Sequence, residues 1–397
     1  MVTTTAASTD SRYQAGTGLG YDAVVRISAG GYYGTGVLLY DGRALLTAAH
    51  LFDGVGTSAQ VSFETRSGLQ KLDATRVLLH PQYDSVDGNH DLALIWLNRA
   101  PAAADRYNLY RDADEVGKDM VLVGYGASGT GAVGASSSGT PTRLMASNRF
   151  DAEAEDLKAV LGTGMAWTPA TGSQLLADFD NGQSARDALG QLMGRTHLGL
   201  GLSEGLIAQG DSGGPALIAG QIAGIASYTA SLSSGSSSPD VDSFSNSSFG
   251  ELAAWQRVSF YQQWIDQSLR SQYPNAPSRP EQVEKSLVEG DSGISYTYFL
   301  LQFTGVRSDP DQILSVDYTT RDGSAQAGSD YLAVSGRLNL YPNEQQAVIP
   351  VEILGDSLAE ADETFYLDVF NPVGGSFGAG VIKLTAMRTI LDDDGWI

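Results

Sequence analysis

The sequence predicts an all-β protein in two successive units, a sandwich or barrel and then a second β-sandwich. Three observations support this. Short strand-like runs broken by glycine fill the first 270 residues, a proline-punctuated stretch follows, and apolar residues beyond it alternate with period two. A chain of 397 residues is long enough for two or three domains, each with its own core.

The strand-like runs lie at residues 23–28, 36–39, 44–48, 60–63, 92–97, 120–124, 215–218 and 221–227. Many short strands with few helices between them favour a sandwich or barrel. Two stretches read as helices, 184–193 and 251–269. In the second, Val258, Tyr261, Ile265 and Leu269 recur at helical spacing and form one apolar stripe. Residues 231–248 are almost entirely Ser, Gly, Asn, Asp and Pro, which predicts a mobile surface loop. Pro274, Pro277 and Pro280 then fix φ three times in quick succession, as a short stiff linker would. The expected division is an N-terminal extension (1–12), a first domain (13–270), a linker (271–284) and a second domain (285–397). In that second domain Leu314, Val316 and Tyr318 alternate, as do Leu338 and Leu340, then Ile349, Val351 and Ile353, then Phe365, Leu367 and Val369. The pattern describes a sandwich of about 110 residues.

Composition narrows the function. There is no Cys, which removes disulfides, zinc-thiolate sites and thiol nucleophiles together. The net charge of −22 would repel a phosphate backbone and makes nucleic acid an unfavourable partner, whereas Ca²⁺, which takes oxygen ligands, suits it. Half of that charge lies in residues 285–397, where 17 acidic residues face 6 basic ones. Such a concentration either solubilises a surface or holds a cation. No apolar run is long enough to span a membrane. The first residues lack the charged and apolar regions of a secretory signal, yet a Gly-rich, acidic, Cys-free composition is that of bacterial exported proteins, so a secreted location is expected.

Four histidines exist, at 50, 80, 90 and 197. His50 ends the apolar run Leu45-Leu46-Thr47-Ala48-Ala49-His50, and Asp91 opens Asp91-Leu92-Ala93-Leu94. Gly210-Asp211-Ser212-Gly213-Gly214-Pro215 can turn tightly, expose a hydroxyl and point successive N–H groups at one spot. A neutral Ser needs a base, and the base needs a carboxylate to hold its tautomer; His50 and Asp91 suit those tasks. His90 adjoins Asp91, but strand alternation would turn it away, and His80, His90 and His197 are read as structural or solvated.

Together these segments resemble the trypsin-like serine endopeptidases over residues 13–269, with His80-Pro81-Gln82-Tyr83, Gly224-Ile225-Ala226-Ser227-Tyr228 and the helix around Trp264-Ile265 adding to the likeness. The resemblance implies a chymotrypsin-like double β-barrel with a C-terminal helix. It also implies Ser212 as nucleophile, His50 as general base then acid, Asp91 as orienting acid, and the N–H groups of Gly210 and Ser212 as oxyanion hole. Leu206 matches the base of the pocket for the side chain before the scissile bond, and Ser227, Tyr228 and Thr229 match its lining strand. Leu206 cannot select a basic residue, and Thr229 narrows the entrance, so small or medium apolar side chains are expected. The stretch from 149 to 203 is longer than a compact member needs and is expected to insert a helical excursion. The activating Ile-Val-Gly-Gly segment of family zymogens has no counterpart in this sequence.

Glu289-Gly290-Asp291-Ser292-Gly293, Gly328-Ser329-Asp330-Tyr331, the run from Asp356 to Phe365 and Asp392-Asp393-Asp394 resemble a Calx-beta domain. This implies an immunoglobulin-like sandwich in which Glu289, Asp330, Asp356, Glu360, Glu363, Asp392, Asp393 and Asp394 supply calcium ligands. Gly355 stands where such members often carry a further Asp. The whole reads as a secreted serine endopeptidase acting on proteins or peptides, with no cofactor for catalysis and Ca²⁺ in its accessory domain. The alternative is a non-catalytic adhesion or binding protein on a protease scaffold.

Overall fold

The computed structural model describes residues 2–136 and 140–394. The chain divides into two compact units, Met1–Ile265 and Asp266–Ile397, and the division falls inside the helix Val258–Arg270.

The first unit is a pair of β-structures. Six strands, Val24–Ala29, Tyr32–Leu38, Ala44–Thr47, Ala59–Thr65, Gly68–Leu79 and Ala93–Leu97, close into a barrel. Its central strands, Ala44–Thr47 and Ala93–Leu97, are buried along their whole length. That is why they read as continuous apolar runs instead of alternating ones. A seven-stranded antiparallel sheet follows, in the order Leu144–Arg149, Asp119–Gly124, Pro215–Ile218, Gln221–Ala230, Leu252–Arg257, Gln174–Asp178, Ala152–Glu153. Its two outermost strands are joined by Phe150 and Asp151 alone, a span of roughly 10 Å at full extension. The sheet must therefore roll until its edges meet, which makes it the second barrel of the pair. Val2, Tyr13, Leu122, Phe150, Leu206 and Trp255 fill its core.

The segment expected as an N-terminal extension supplies a strand: Thr3–Thr4 runs antiparallel to Gly205–Leu206 and parallel to Gly129–Thr130. The excursion within 149–203 carries helices Ala154–Leu161 and Ala188–Met193. Asp187 caps the second helix by accepting the Gly190 N–H, and Gly194 ends it in the left-handed conformation.

Two expectations need correction. The helix predicted over 251–269 begins only at Val258, because Leu252–Arg257 is a strand between Gln174–Asp178 and Gln221–Ala230. All six of its residues are buried, so no period-two signal could distinguish it from a helix. The apolar stripe Val258, Tyr261, Ile265 and Leu269 is buried as expected. Residues 231–248 are not the loose loop their composition suggests. Glu251 accepts the N–H groups of Asn246 and Ser248, Asp240 accepts the Ser231 and Ser248 hydroxyls, and Ser248 is fully buried. Polar side chains that bury little apolar area still fix a backbone when each finds a partner.

The second unit is a sandwich. Its five-stranded sheet runs Ser286–Val288, Lys383–Leu391, Glu363–Val373, Leu314–Asp322, Ser335–Leu340, and Gly293–Gln302 pairs with Gln346–Gly355 as the two-stranded partner. Leu314, Val316, Leu338, Leu340, Ile349, Val351, Ile353, Phe365, Leu367 and Val369 form its core, while Tyr318 packs at the margin. Among the described residues, no helix is long and apolar enough to cross a membrane.

Candidate active site

Ala44–Thr47 and Ala93–Leu97 are neighbours in the first barrel, with Thr47 opposite Ala93. Three residues past one strand and two before the other, His50 and Asp91 meet. The imidazole Nδ1 donates to Asp91 Oδ2 at 2.7 Å and the His50 backbone N–H to Oδ1 at 2.8 Å. A short 3₁₀ turn, Ala49–Phe52, allows ring and amide of one residue to reach the same carboxylate. Asp91 is 2% exposed, while the His50 side chain keeps 33% of its surface open. Burial works against the imidazolium, but the hydrogen bond and charge of Asp91, helped by Asp53, outweigh it and raise the His50 pKa above its ordinary value.

A third donor reaches Asp91. The Ser227 hydroxyl binds Oδ2 at 2.6 Å and itself accepts from Gln256 Nε2 at 3.3 Å. The sequence placed Ser227 in the pocket lining; the structure gives its hydroxyl to the carboxylate. The cause is a bulge: pairing of Gln221–Ala230 with Leu252–Arg257 slips between Ala226 and Tyr228, leaving Ser227 without a register partner. Its place in the segment Gly224 to Tyr228 was the only sequence signal, and nothing in that signal pointed to Asp91.

The loop 210–215 is pinned to the first barrel. Thr35 donates its N–H to the Ser212 carbonyl at 2.9 Å and its hydroxyl to the Gly210 carbonyl at 2.9 Å. Gly213 has φ +82°, and a Cβ there would lie 2.0 Å from Thr47 Oγ1, so no other residue fits. Ser212 is thereby held beside Thr47, three residues before His50. The N–H of Asp211 goes to Ala208, that of Gly213 to Ala226 and that of Gly214 to Asp211. The N–H groups of Gly210 and Ser212 donate to nothing among the described residues. Two free donors flanking a partly exposed hydroxyl are what an oxyanion-binding site requires. Asp211 is buried, which pushes its carboxyl up, and it accepts the N–H groups of Gly126 and Ala208.

Of the expected pocket residues, Leu206 is fully buried in the core of the second barrel, and its carbonyl accepts the Thr3 hydroxyl at 3.1 Å. The Tyr228 hydroxyl donates to Gln174 Oε1 at 2.7 Å and accepts from Trp167 Nε1 at 2.8 Å. Thr229 is half-buried opposite Ala253.

His90 contacts His80 and Tyr261 rather than the His50–Asp91 pair, and strand alternation is not the reason. It has φ +53° and precedes the strand, and its ring stacks on His80 at 5.1 Å with Tyr261 at its edge. Burial, with the His90 charge beside it, lowers His80 to about 4. His197 lies 3.6 Å from Asp151.

In the sandwich the expected ligands fall into two groups. Glu289, Asp392 and Asp394 have carboxylate oxygens within 4.8 Å of one another, and so do Asp330, Glu360 and Glu363. Burial, then the charges of Asp356, Asp392, Glu360 and Asp394, pushes Glu289 up to about 7. Burial, then Asp330, raises Glu363 to about 7. Among the described residues, Glu289 Oε1 and Asp394 Oδ2 are buried without a hydrogen-bond partner, and all the donors of both groups are hard carboxylate oxygens. Asp356 acts on both groups by charge alone, and Asp393 belongs to neither, its carboxylate accepting the Gly290 N–H at 3.1 Å. Gly355 departs from the resemblance because a Cβ there would meet the Gly290 carbonyl at 2.3 Å.

Comparison with known proteins agrees with this division. The Trypsin family model matches residues 10–149, which hold His50 and Asp91, and the Calx-beta domain model matches residues 301–394. The sodium/calcium exchanger Calx of Drosophila melanogaster is 39% identical over 88 residues, 22% of this chain and 9% of that protein. Sodium/calcium exchanger 2 of Homo sapiens is 33% identical over 153 residues, 32% of this chain and 17% of that protein. The chain thus spans less than a fifth of either relative. Among solved structures, mouse neuropsin, described as a serine protease expressed in the limbic system of the brain, aligns at 17% identity with TM-score 0.47, over 65% of this chain and 98% of that one. By these family models the chain holds a segment similar to the Trypsin family at residues 10–149, followed by one similar to the Calx-beta domain at residues 301–394.

Proposed function

We propose that this protein is an exported serine endopeptidase whose Calx-beta domain binds Ca²⁺. The observation that carries the peptidase reading is the Asp91 carboxylate, which holds both the Nδ1 and the backbone N–H of His50. With Nδ1 committed to Asp91, Nε2 is the basic nitrogen of the ring. His50 takes the Ser212 proton as Oγ bonds to the scissile carbonyl carbon, and the Gly210 and Ser212 N–H groups meet the oxyanion. Collapse breaks the C–N bond, His50 passes its proton to the leaving amine, and water, activated in the same way, releases the acyl group from Ser212. A fluorophosphonate probe should add one adduct per chain, on the peptide that contains Ser212. An unlabelled Ser212 in protein of native melting temperature would favour the alternative, a non-catalytic binding protein on a protease scaffold. The acidic, Gly-rich, Cys-free composition supports export.

The resemblance sets Leu206, buried in the barrel core, beneath the pocket and Thr229 at its entrance, and neither offers a charge to a basic side chain. Cleavage is expected after small or medium apolar residues, with at least a tenfold preference over Lys or Arg, since a buried ammonium facing no carboxylate is costly. A peptide-library profile dominated by basic residues would show that Leu206 is not the base of the pocket.

Carboxylates crowded at one end of the sandwich, two of them with an oxygen unpartnered among the described residues, support calcium binding there. The residues that would hold it are Glu289, Asp392 and Asp394 in one group and Asp330, Glu360 and Glu363 in the other, with Asp356 beside both. At a hundredfold excess over Kd, a bound cation adds about 2.7 kcal/mol to the folded state. Differential scanning calorimetry of the full chain should show a transition that rises with CaCl₂ and falls in EDTA, and Glu289→Gln with Glu363→Gln should flatten that response.

A further inference from the structure

A third acidic group lies in the trypsin-type unit, at the end of the strand Gln174–Asp178 and the start of the helix Ala188–Met193. Asp178, Asp180 and Asp187 each place a carboxylate oxygen within 4.8 Å of the others, and all three residues are buried. Asp178 and Asp180, two apart along an extended segment, point the same way, and Asp187 reaches them from the helix cap.

Hydrogen bonding accounts for only part of this charge. Asp178 Oδ2 accepts the Leu189 N–H and Asp187 Oδ1 the Gly190 N–H, each at 2.7 Å. Both oxygens of Asp180, a residue 2% exposed, have no partner among the described residues, and the further carboxyl beside Asp178 is that of another buried acid, Asp151. Glu204 adds a further buried carboxylate, bound to the Asp180 N–H at 2.7 Å. No Lys or Arg pairs with Asp178, Asp180, Asp187 or Glu204 among the described residues. An isolated buried carboxylate is costly, and three that converge with free lone pairs are costlier still unless a cation sits among them.

We infer that Asp178, Asp180 and Asp187 form a divalent-cation site in the trypsin-type unit, separate from the Calx-beta carboxylates. The donors are all hard oxygens without His or Cys, which suits Ca²⁺ and disfavours softer ions such as Zn²⁺. Through Glu204, which immediately precedes the strand Gly205–Leu206, the site is linked to the segment that leads into the nucleophile loop.

The test uses the full chain carrying Ser212→Ala, to prevent self-cleavage, and Glu289→Gln, Asp330→Asn, Glu363→Gln and Asp394→Asn, to silence the sandwich. Titrated with CaCl₂ in a calorimeter, this protein should take up one equivalent. Adding Asp180→Asn should weaken that binding at least tenfold. It should also reverse the order of melting: without an uncompensated buried charge the Asn variant melts higher than its parent in EDTA, and lower than it in CaCl₂. Asp187→Asn, which keeps the Gly190 cap and the fold, should weaken binding similarly and serves where Asp180→Asn does not fold. Absence of Ca²⁺ uptake at millimolar concentration by the sandwich-silenced protein would overturn the inference, as would undiminished uptake by either Asn variant.

Discussion

Ser212→Ala is expected to abolish casein hydrolysis while leaving the protein folded. Loss of the nucleophile from such a triad lowers kcat by ~10⁶, or about 8 kcal/mol of transition-state stabilisation. The fold does not depend on the hydroxyl: Thr35 holds the loop through the Ser212 carbonyl, and the left-handed Gly213 keeps its place against Thr47. Activity of the purified variant on casein, read beside its melting curve, decides the matter. Hydrolysis at the parent rate would assign the chemistry to another residue.

Asp91→Asn should have the next largest effect, a fall in kcat of ~10⁴. The carboxylate accepts from the His50 ring, the His50 amide and Ser227, three donors that two anionic oxygens can serve. An amide offers one oxygen and one NH₂, so it must either point hydrogens at a donor or turn the imidazole to the tautomer that cannot take a proton from Ser212. The pH profile gives an independent reading. Because Asp91 raises the His50 pKa against the opposing effect of burial, the acid limb of kcat/KM in the parent should lie above pH 6.5, activity rising as His50 loses its proton. Without that negative charge the limb should move to lower pH. A limb that stays in place, or activity within tenfold of the parent, would mean that Asp91 does not orient the base.

The parts of the site legible in the sequence were those whose role is local. His50, Asp91 and Ser212 each stand in a short segment of distinctive residues, and the alternating runs after residue 314 revealed one face of the sandwich directly. What escaped depended on partners far along the chain. Ser227 serves Asp91 only because a bulge removes it from its ladder, and a bulge leaves no mark in composition. Leu252–Arg257 was misread because burial on both faces erases periodicity. The loop 231–248 was misread because composition records how little a segment can bury, not which carboxylates wait for its amides. Asp178 and Asp180 carried a usable signal, two acids separated by Phe179 at the end of an apolar strand, whose meaning required Asp187 to fold back on them.

The contacts of Asp91 bear on when activity can first arise. Its donors come from residues 41 and 136 positions away, one in the turn after a strand of the closed barrel and one in the rolled sheet. Loops of such length close late, after each sheet has begun to organise itself, so a nascent or half-folded chain holds its strands without a working base. A refolding experiment should therefore see far-ultraviolet circular dichroism recover before fluorophosphonate reactivity, the interval measuring how long the two barrels take to dock. During that interval neighbouring unfolded copies would meet a chain whose proposed triad is not yet assembled.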